Sequence, residues 1–245
     1  LGFVRRTDIF KINPQIELKF WPKNSKIQRH SFTVIPISIW RPELDFENSD
    51  YTIISRWEAN FLNSSQLRVE MFNRYTKLYD EFDPTRTDNA IPLPGDENYY
   101  YTSFNASFRS DRRKKVSYRI NPSIGQFYNG NKYSLETSLS LRLQPYFTGS
   151  IQMNYDKIDL PDPYPDASIW LIGPKLDVTF SKNMFWSTFF QYSTQRENLS
   201  INTRFQWRVA PLSDLFLVYN DNYATTVFSP RFRSLNLKFT YWLNI

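Results

Sequence analysis

Apolar and polar residues alternate with a period of two over long stretches of this chain. The final stretch places Leu235, Leu237, Phe239 and Leu243 at every second or fourth position, with polar residues such as Lys238 between them. Because successive side chains of a β-strand point to opposite faces, this pattern predicts strands with one apolar and one polar face. A helix would place the same residues on no consistent face. The sequence therefore predicts an all-β protein.

Turn signals divide the chain into about 13 such runs. Most runs are longer than the 5–6 residues usual in soluble sheets, and they approach the roughly 9–11 residues that a tilted strand needs to cross a bilayer. Their length favours membrane-spanning strands. The predicted runs are 9–21, 27–40, 51–62, 66–80, 99–109, 115–128, 132–143, 147–158, 168–180, 184–194, 198–209, 214–224 and 232–244.

The connections between these runs fall into a tight set and a long set. Outer-membrane barrels have short periplasmic turns and longer extracellular loops, so the two sets predict an antiparallel transmembrane β-barrel. The tight set is 22–26, 63–65, 110–114, 144–146, 181–183 and 210–213, and the long set is 41–50, 81–98, 159–167 and 225–231.

The composition is unusual for a soluble protein. Aromatic residues make up 18% of the chain, yet its mean hydropathy is −0.53. No run approaches the roughly 20 apolar residues of a membrane helix, whereas a barrel strand needs only one apolar face. The chain has no cysteine and one histidine, His30, so thiolate and zinc sites are not expected. We predict no catalytic, cofactor or metal residues, and hence a non-enzymatic protein.

Charged and polar residues occupy the second face of the predicted strands. Facing lipid at the bilayer midplane, each charge would cost about 2–4 kcal/mol, so we predict that this face lines the lumen. An open pore and an interior closed by cross-strand charge pairs both fit the pattern. The predicted lumen residues are Lys11, Gln15, Glu17, Lys19, Arg56, Glu58, Arg68, Glu70, Arg74, Arg109, Arg119, Glu136, Arg142, Asp156, Lys175, Asp177, Arg204, Arg208 and Lys238.

Aromatic residues concentrate near the ends of the predicted strands. Amphipathic rings favour the headgroup level of a membrane, so these positions predict two interfacial girdles. The preference of aromatic residues for strands in general is the competing explanation. The principal predicted girdle residues are Trp21, Trp40, Trp170, Trp186, Trp207 and Tyr241.

The odd number of predicted strands has a consequence for the domain. Bacterial single-chain barrels usually have an even number of strands, and an open edge in lipid would leave backbone groups unpaired. We therefore expect 1–245 to be one barrel domain and the C-terminal portion of a larger barrel, unless one strand is miscounted.

Three stretches of the sequence carry a family resemblance. They are LGFVRRTDI at the start, NTRFQWRVAPLSDLFLVYND at Asn202–Asp221, and the closing LNLKFTYWLNI. They resemble the C-terminal outer-membrane barrel domain, of uncharacterised function, that usually follows a family-9-like carbohydrate-binding module in bacterial envelope proteins. The resemblance implies an outer-membrane location and an association with glycan through a missing N-terminal module, but no reaction.

The expected function is that of a pore, or of a membrane anchor for a glycan-binding periplasmic module. A scaffold subunit of a larger outer-membrane complex is the alternative, and a barrel hydrolase is less favoured. The expected partners are outer-membrane lipid, other outer-membrane or periplasmic proteins, and glycan. The net charge of +6 is too scattered to predict nucleic-acid binding. A soluble β-sandwich lectin is the rival fold, and it would require a dry core between two sheets.

Overall fold

A computed structural model describes residues 8–87 and 90–243. In this part of the chain, almost every element is a strand, and the one short helix is a 3-10 turn at Pro42–Leu44. The strands are β1 (Phe10–Ile12), β2 (Ile16–Phe20), β3 (Ile27–Arg41), β4 (Glu47–Phe61), β5 (Gln66–Leu78), β6 (Glu97–Arg109), β7 (Val116–Phe127), β8 (Gly130–Leu143), β9 (Phe147–Asp159), β10 (Ala167–Ser181), β11 (Met184–Ser193), β12 (Asn198–Ala210), β13 (Ser213–Ala224) and β14 (Ser229–Thr240).

These strands form one 14-stranded antiparallel sheet. Its order follows the chain from β3 to β14, while β1 and β2 pair with different parts of β3. The all-β antiparallel prediction is confirmed. Within the described residues the order is linear and the sheet is not closed, so the barrel itself stays a prediction. Leu1–Thr7 and Asn244–Ile245, which belong to two of the quoted stretches, lie outside the described residues.

The chain folds into two compact units. The first contains the residues up to Arg109, with Asn121–Ser134 and Asp156–Ser168. The second contains Ser110–Ile120, Leu135–Tyr155 and the residues from Ile169 onward. In the first unit β3, β4, β5 and β6 pair in sequence, and in the second β11, β12, β13 and β14 do so.

The count of 13 strands is wrong by one, because the first predicted run is two strands. Its halves are β1 and β2, which pair with Ser38–Trp40 and His30–Val34. The break contains Pro14, and the part of β3 left between the two pairings contains Pro36. Proline has no amide hydrogen to donate to a ladder, so two prolines at the same level interrupt the pairing.

Two of the predicted long loops are also wrong. Glu47–Asp50 belongs to β4, where the Asn48 side-chain amide donates to Ser38 Oγ at 2.7 Å and to the Ile39 carbonyl at 3.1 Å. Ser229 and Pro230 belong to β14 and pair with Ala224 and Tyr223. Polar residues and a proline resemble a loop in sequence. In β4 the polar residues are held in the strand by hydrogen bonds to β3, and in β14 the proline lies on a strand at the edge of the sheet, where it is tolerated.

The longest connection joins β5 to β6 and folds on itself. Phe82 and Leu93 form a two-residue antiparallel bridge, with N···O distances of 3.0 and 2.8 Å. Asp83 caps the segment, because its carboxylate accepts from the amides of Thr85 and Thr87. This connection and 160–166 are the ones that remain long. Asp88 and Asn89 lie outside the described residues.

Exposure along the first unit is the reverse of that in a water-soluble sheet. In β3, Ser31 and Thr33 are each 3% exposed, whereas Phe32 is 51% and Val34 is 45% exposed. In β5, Glu70 is buried while its neighbour Val69 is exposed. Soluble proteins bury apolar side chains and leave polar ones outside. Here the polar face is the covered one.

Candidate functional site

A ladder of charged side chains crosses β4 and β5 on the polar face. Arg56 lies directly opposite Glu70, and Arg56 Nε donates to Glu70 Oε1 at 2.6 Å. Two positions along, Glu58 lies opposite Arg68, which donates from Nε and Nη2 at 3.0 and 2.8 Å. Opposite charges directly across an antiparallel pair stabilise each other, and hydrogen bonds between two charged groups are stronger than neutral ones.

Strands β3 and β2 extend the ladder on the β4 side. Arg29 Nη2 of β3 lies 3.6 Å from Glu58 Oε1, which also accepts from the Asn60 amide at 3.2 Å. In β2, Lys19 Nζ lies 3.1 Å from Glu17 Oε2. The register places these side chains on one face, because residues two apart in a strand share a face.

The second unit carries its own polar face. Lys175 Nζ lies 3.0 Å from Asp177 Oδ2, and Ser187 Oγ donates to Asp177 Oδ1 at 2.6 Å. Arg204 lies opposite Ser187 in the strand register. Arg208 lies opposite Asp214, with Arg208 Nε 3.5 Å from Asp214 Oδ1. Lys238 follows on β14 and is exposed. The charged residues predicted for β10, β12 and β14 therefore share a face of this unit.

Three other predicted lumen residues lie in β7 and β8. Arg119 and Glu136 are exposed, and Arg142 is partly buried. The Arg142 backbone amide donates to the Lys115 carbonyl at 2.8 Å.

A ladder of three tyrosines ends the apolar face of the first unit. Tyr51, Tyr75 and Tyr100 stand opposite one another on β4, β5 and β6, with ring centroids 5.4 and 4.8 Å apart. Tyr75 donates its hydroxyl to Asn98 Oδ1 at 2.8 Å. All three tyrosines lie near the ends of their strands, at the same end of the sheet. This row has the composition of a membrane-interface belt.

The predicted girdle residues lie at or near strand ends. Trp21 directly follows β2 and Tyr241 directly follows β14, and both are exposed. The Trp40 ring lies 5.8 Å from that of Phe10, and the Trp170 ring lies 4.3 Å from that of Tyr155.

The other two predicted girdle tryptophans lie on the apolar face of the second unit. Trp186 stands opposite Phe205 and Val178, and Trp207 stands opposite Met184 and Leu215.

An apolar groove of about 350 Å³ crosses β2 to β6. Ser55 stands between Val34 and Met71 in register, so a small side chain interrupts a row of large ones. Trp57, two residues along β4, and Phe104, in the same row beyond Met71, also line the groove. The groove is lined mainly by apolar side chains.

The structure also reveals an ion pair that the sequence analysis missed. Asp221 and Arg233 lie opposite each other in β13 and β14, with Arg233 Nε 3.0 Å from Asp221 Oδ2. Asp221 also accepts from the hydroxyl of Tyr219, and Tyr223 accepts from Arg233. By register the pair shares a face with Ile201 and Leu235. Asp221 lies within a quoted stretch, but strand pairing was needed to give it a partner.

The turn between β6 and β7 contains a local ion pair. Arg113 donates to Asp111 from its backbone amide at 2.9 Å and from Nη2 at 2.9 Å. These side-chain and backbone hydrogen bonds lower the pKa of Asp111 to about 2. The carboxylate therefore stays charged through the ordinary titration range of aspartate, and it holds the turn closed.

His30 lies on the apolar face between two phenylalanines. Its ring stacks on Phe20 at 5.1 Å and meets the edge of Phe32 at 6.0 Å. No group of three or more His, Asp or Glu side chains that could hold a metal ion occurs in the described residues. Within those residues, no helix has the length and hydropathy to cross a membrane.

Comparison with known proteins identifies no relative: no family model, no curated protein and no solved structure matches this chain.

Proposed function

We propose that this chain forms a transmembrane β-barrel of the bacterial outer membrane and acts as a pore. The apolar faces of its strands meet hydrocarbon, and the polar faces line an aqueous interior. The reversed exposure of β3 carries the proposal, since Phe32 and Val34 are exposed while Ser31 and Thr33 are covered. A soluble sheet would lose hydrophobic stabilisation in that arrangement, at about 25 cal/mol for each Å² of apolar surface left in water.

The strand lengths and the aromatic rows support the same proposal. Strands β3 to β14 have 10–15 residues, which is enough to cross the hydrocarbon layer at a tilt. The Tyr51, Tyr75 and Tyr100 row stands where the headgroups would begin. Closure of the sheet would pair the edges that otherwise leave backbone groups unsatisfied in lipid.

The charge ladder favours a water-filled interior over a dry one. Arg56, Glu70, Glu58 and Arg68 form pairs across β4 and β5, yet each side chain keeps some exposure. Charges in a dry interior pay a large desolvation penalty, whereas charges along an aqueous wall do not. Ion pairs at a pore wall also leave the path open for solutes.

Electrical recording tests the pore directly. The protein is refolded in detergent and added to one side of a planar lipid bilayer. We expect discrete current steps in symmetric KCl, with a size that scales with bulk salt conductivity. As a control, the refolded protein should migrate faster on a gel before boiling than after it. Folded, membrane-inserted protein that stays silent at all voltages would contradict the pore.

The other functions expected from the sequence have distinct outcomes in the same preparation. A silent barrel that co-purifies from membranes in a stable assembly would instead identify a scaffold subunit. A silent barrel with no assembly would leave the anchor of a glycan-binding module. Protein that stays soluble and folded without detergent would contradict the membrane location itself.

A further inference from the structure

Arg74 lies on the same polar face of the first unit as Arg56 and Arg68, but its neighbours differ from theirs. Arg56 and Arg68 each have a glutamate opposite them, but Arg74 lies opposite Thr52 and Tyr101. Within the described residues, no carboxylate lies within ion-pair distance of Arg74, whose side chain is partly buried. Its Nη1 donates to Ser103 Oγ at 2.6 Å. A partly buried guanidinium without a counter-charge is costly, so this position calls for an anion from outside.

Arg74 lines a pocket of about 340 Å³. This volume is at the lower end of the roughly 300–1,000 Å³ of small-molecule sites. Six of the eight lining residues are charged or uncharged polar residues other than tyrosine, and the other two, Tyr101 and Phe127, are aromatic. The lining residues are Arg74, Tyr101, Ser103, Ser123, Gln126, Phe127, Lys132 and Ser134.

The charges around the pocket sum to one excess positive charge. Lys132 is the second cation, and its Nζ lies 3.2 Å from Asp156 Oδ2. That contact neutralises the charge of Lys132, and the charge of Arg74 remains without a counter-charge. Lys132 Nζ also lies 5.5 Å from the centre of the Phe127 ring. The pocket therefore favours a ligand with one anionic group.

The neutral side chains supply further hydrogen bonds. Ser123 and Ser134 contribute two hydroxyls to the lining. Tyr101 OH lies 3.4 Å from Thr76 Oγ1 and retains capacity for another contact. Such groups suit the hydroxyls of a polar ligand body, while the fork of an arginine suits carboxylate or phosphate oxygens.

Gly125 gives the pocket its shape. A Cβ atom at this position would lie 2.3 Å from Ser103 Cα and 2.5 Å from the Thr102 carbonyl oxygen. Only glycine allows β7 and β6 to approach so closely. Beside it, the Thr102 amide donates to the Gln126 side chain at 3.0 Å. Ser123 and Phe127, two residues to either side of Gly125, line the pocket together with Arg74.

From this geometry we infer that the pocket binds a small organic anion, with a carboxylate or phosphate group on Arg74 and a polar body against Ser123, Ser134 and Phe127. The inference rests on the proposed function for the route by which a solute reaches the polar face. The pocket then selects anions among the solutes that enter the pore.

Titration calorimetry of the detergent-refolded full chain tests this inference. The probes are glucuronate, glucose 6-phosphate and, as the uncharged control, glucose. We expect binding of at least one of the two anions and at least tenfold weaker binding of glucose. Whichever anion binds identifies the preferred acid group. Absence of binding by both anions to the folded wild-type protein would overturn the inference.

Two matched variants separate the site from general attraction to positive charge. Arg74→Gln removes the charge inside the pocket, and Arg204→Gln removes one from the polar face of the other unit. We expect anion binding at least tenfold weaker in R74Q and within twofold of wild type in R204Q. Equal losses in the two variants would overturn the site.

The pore and the pocket can fail separately. Both variants are first checked for heat-modifiable gel mobility, and Ser123→Ala provides a second pocket change that keeps every charge. We expect S123A to weaken anion binding while conductance is preserved. Current steps without anion binding would refute the pocket alone, whereas Arg74-dependent binding by a silent protein would refute the pore alone.

Discussion

Leu237→Arg tests the lipid-facing assignment at a position where packing effects are small. Leu237 is 70% exposed on β14 and lies opposite Leu217. It ends an apolar row that crosses five strands, so an arginine there meets no partner within that row. The row consists of Val178, Trp186, Phe205, Leu217 and Leu237.

The magnitude follows from where the side chain would lie. In lipid, an arginine near the middle of a strand costs about 2–4 kcal/mol, and the cost falls toward the interfaces. That range corresponds to roughly 30- to 700-fold in the folding equilibrium, at about 1.4 kcal/mol for each factor of ten. In water, a change at so exposed a site would alter stability by only about 0.5 kcal/mol or less.

Equilibrium unfolding by urea in lipid vesicles measures the difference. Asn236→Arg is the matched control, because Asn236 is the neighbouring residue, is also exposed, and shares a face with Lys238. We expect L237R to lose about 2–4 kcal/mol and N236R less than about 1 kcal/mol. Equal losses, or no loss in L237R, would refute the assignment of faces in β14.

Three further changes give distinct outcomes. Phe239→Arg, near the end of β14, should cost about 1–2 kcal/mol and reduce the heat-modifiable folded fraction on gels. Lys238→Glu, on the other face, should leave that fraction near wild type. A larger loss in K238E than in F239R would count against the assignment of faces. Asp111 holds its turn closed while its carboxylate is charged. Its contribution to the stability of the turn is complete above the ordinary pKa of 3.8 and should disappear as the pH falls from about 4 through about 2. Asp111→Asn should remove this acid dependence from amide exchange at Arg113, and an unchanged pH profile would exclude the pair as its cause. Gly125→Ala should destabilise the protein by about 1–3 kcal/mol through overpacking against β6, measured by urea unfolding, and wild-type stability would contradict the close approach.

The strands were predictable from sequence because their signal is local. Alternation along β14 or β12 needs no knowledge of the neighbours, and predicted boundaries such as 198–209 lie within a residue or so of Asn198–Ala210. The face of each charged residue follows from the same alternation, so Arg56 and Glu58 could be assigned together.

The errors come from effects that need the partner strand. Pro14 splits the first run only because it meets Pro36 across the sheet, and Glu47–Asp50 becomes strand only because Asn48 bonds to β3. The pairing of Asp221 with Arg233, the stacking of Tyr75 in the tyrosine row and the missing partner of Arg74 likewise depend on register. A single sequence specifies which residues alternate, but not which residues face each other.

In the proposed barrel, alternate side chains of β3 contact hydrocarbon. Because the chain has no cysteine, single cysteines can be placed at Ser31, Phe32, Thr33 and Val34, labelled with a nitroxide and studied in vesicles. We expect strong relaxation by lipid-dissolved oxygen at positions 32 and 34 and weak relaxation at 31 and 33. Equal oxygen contact at all four positions, or greater contact of 32 and 34 with a water-soluble nickel chelate, would contradict this expectation.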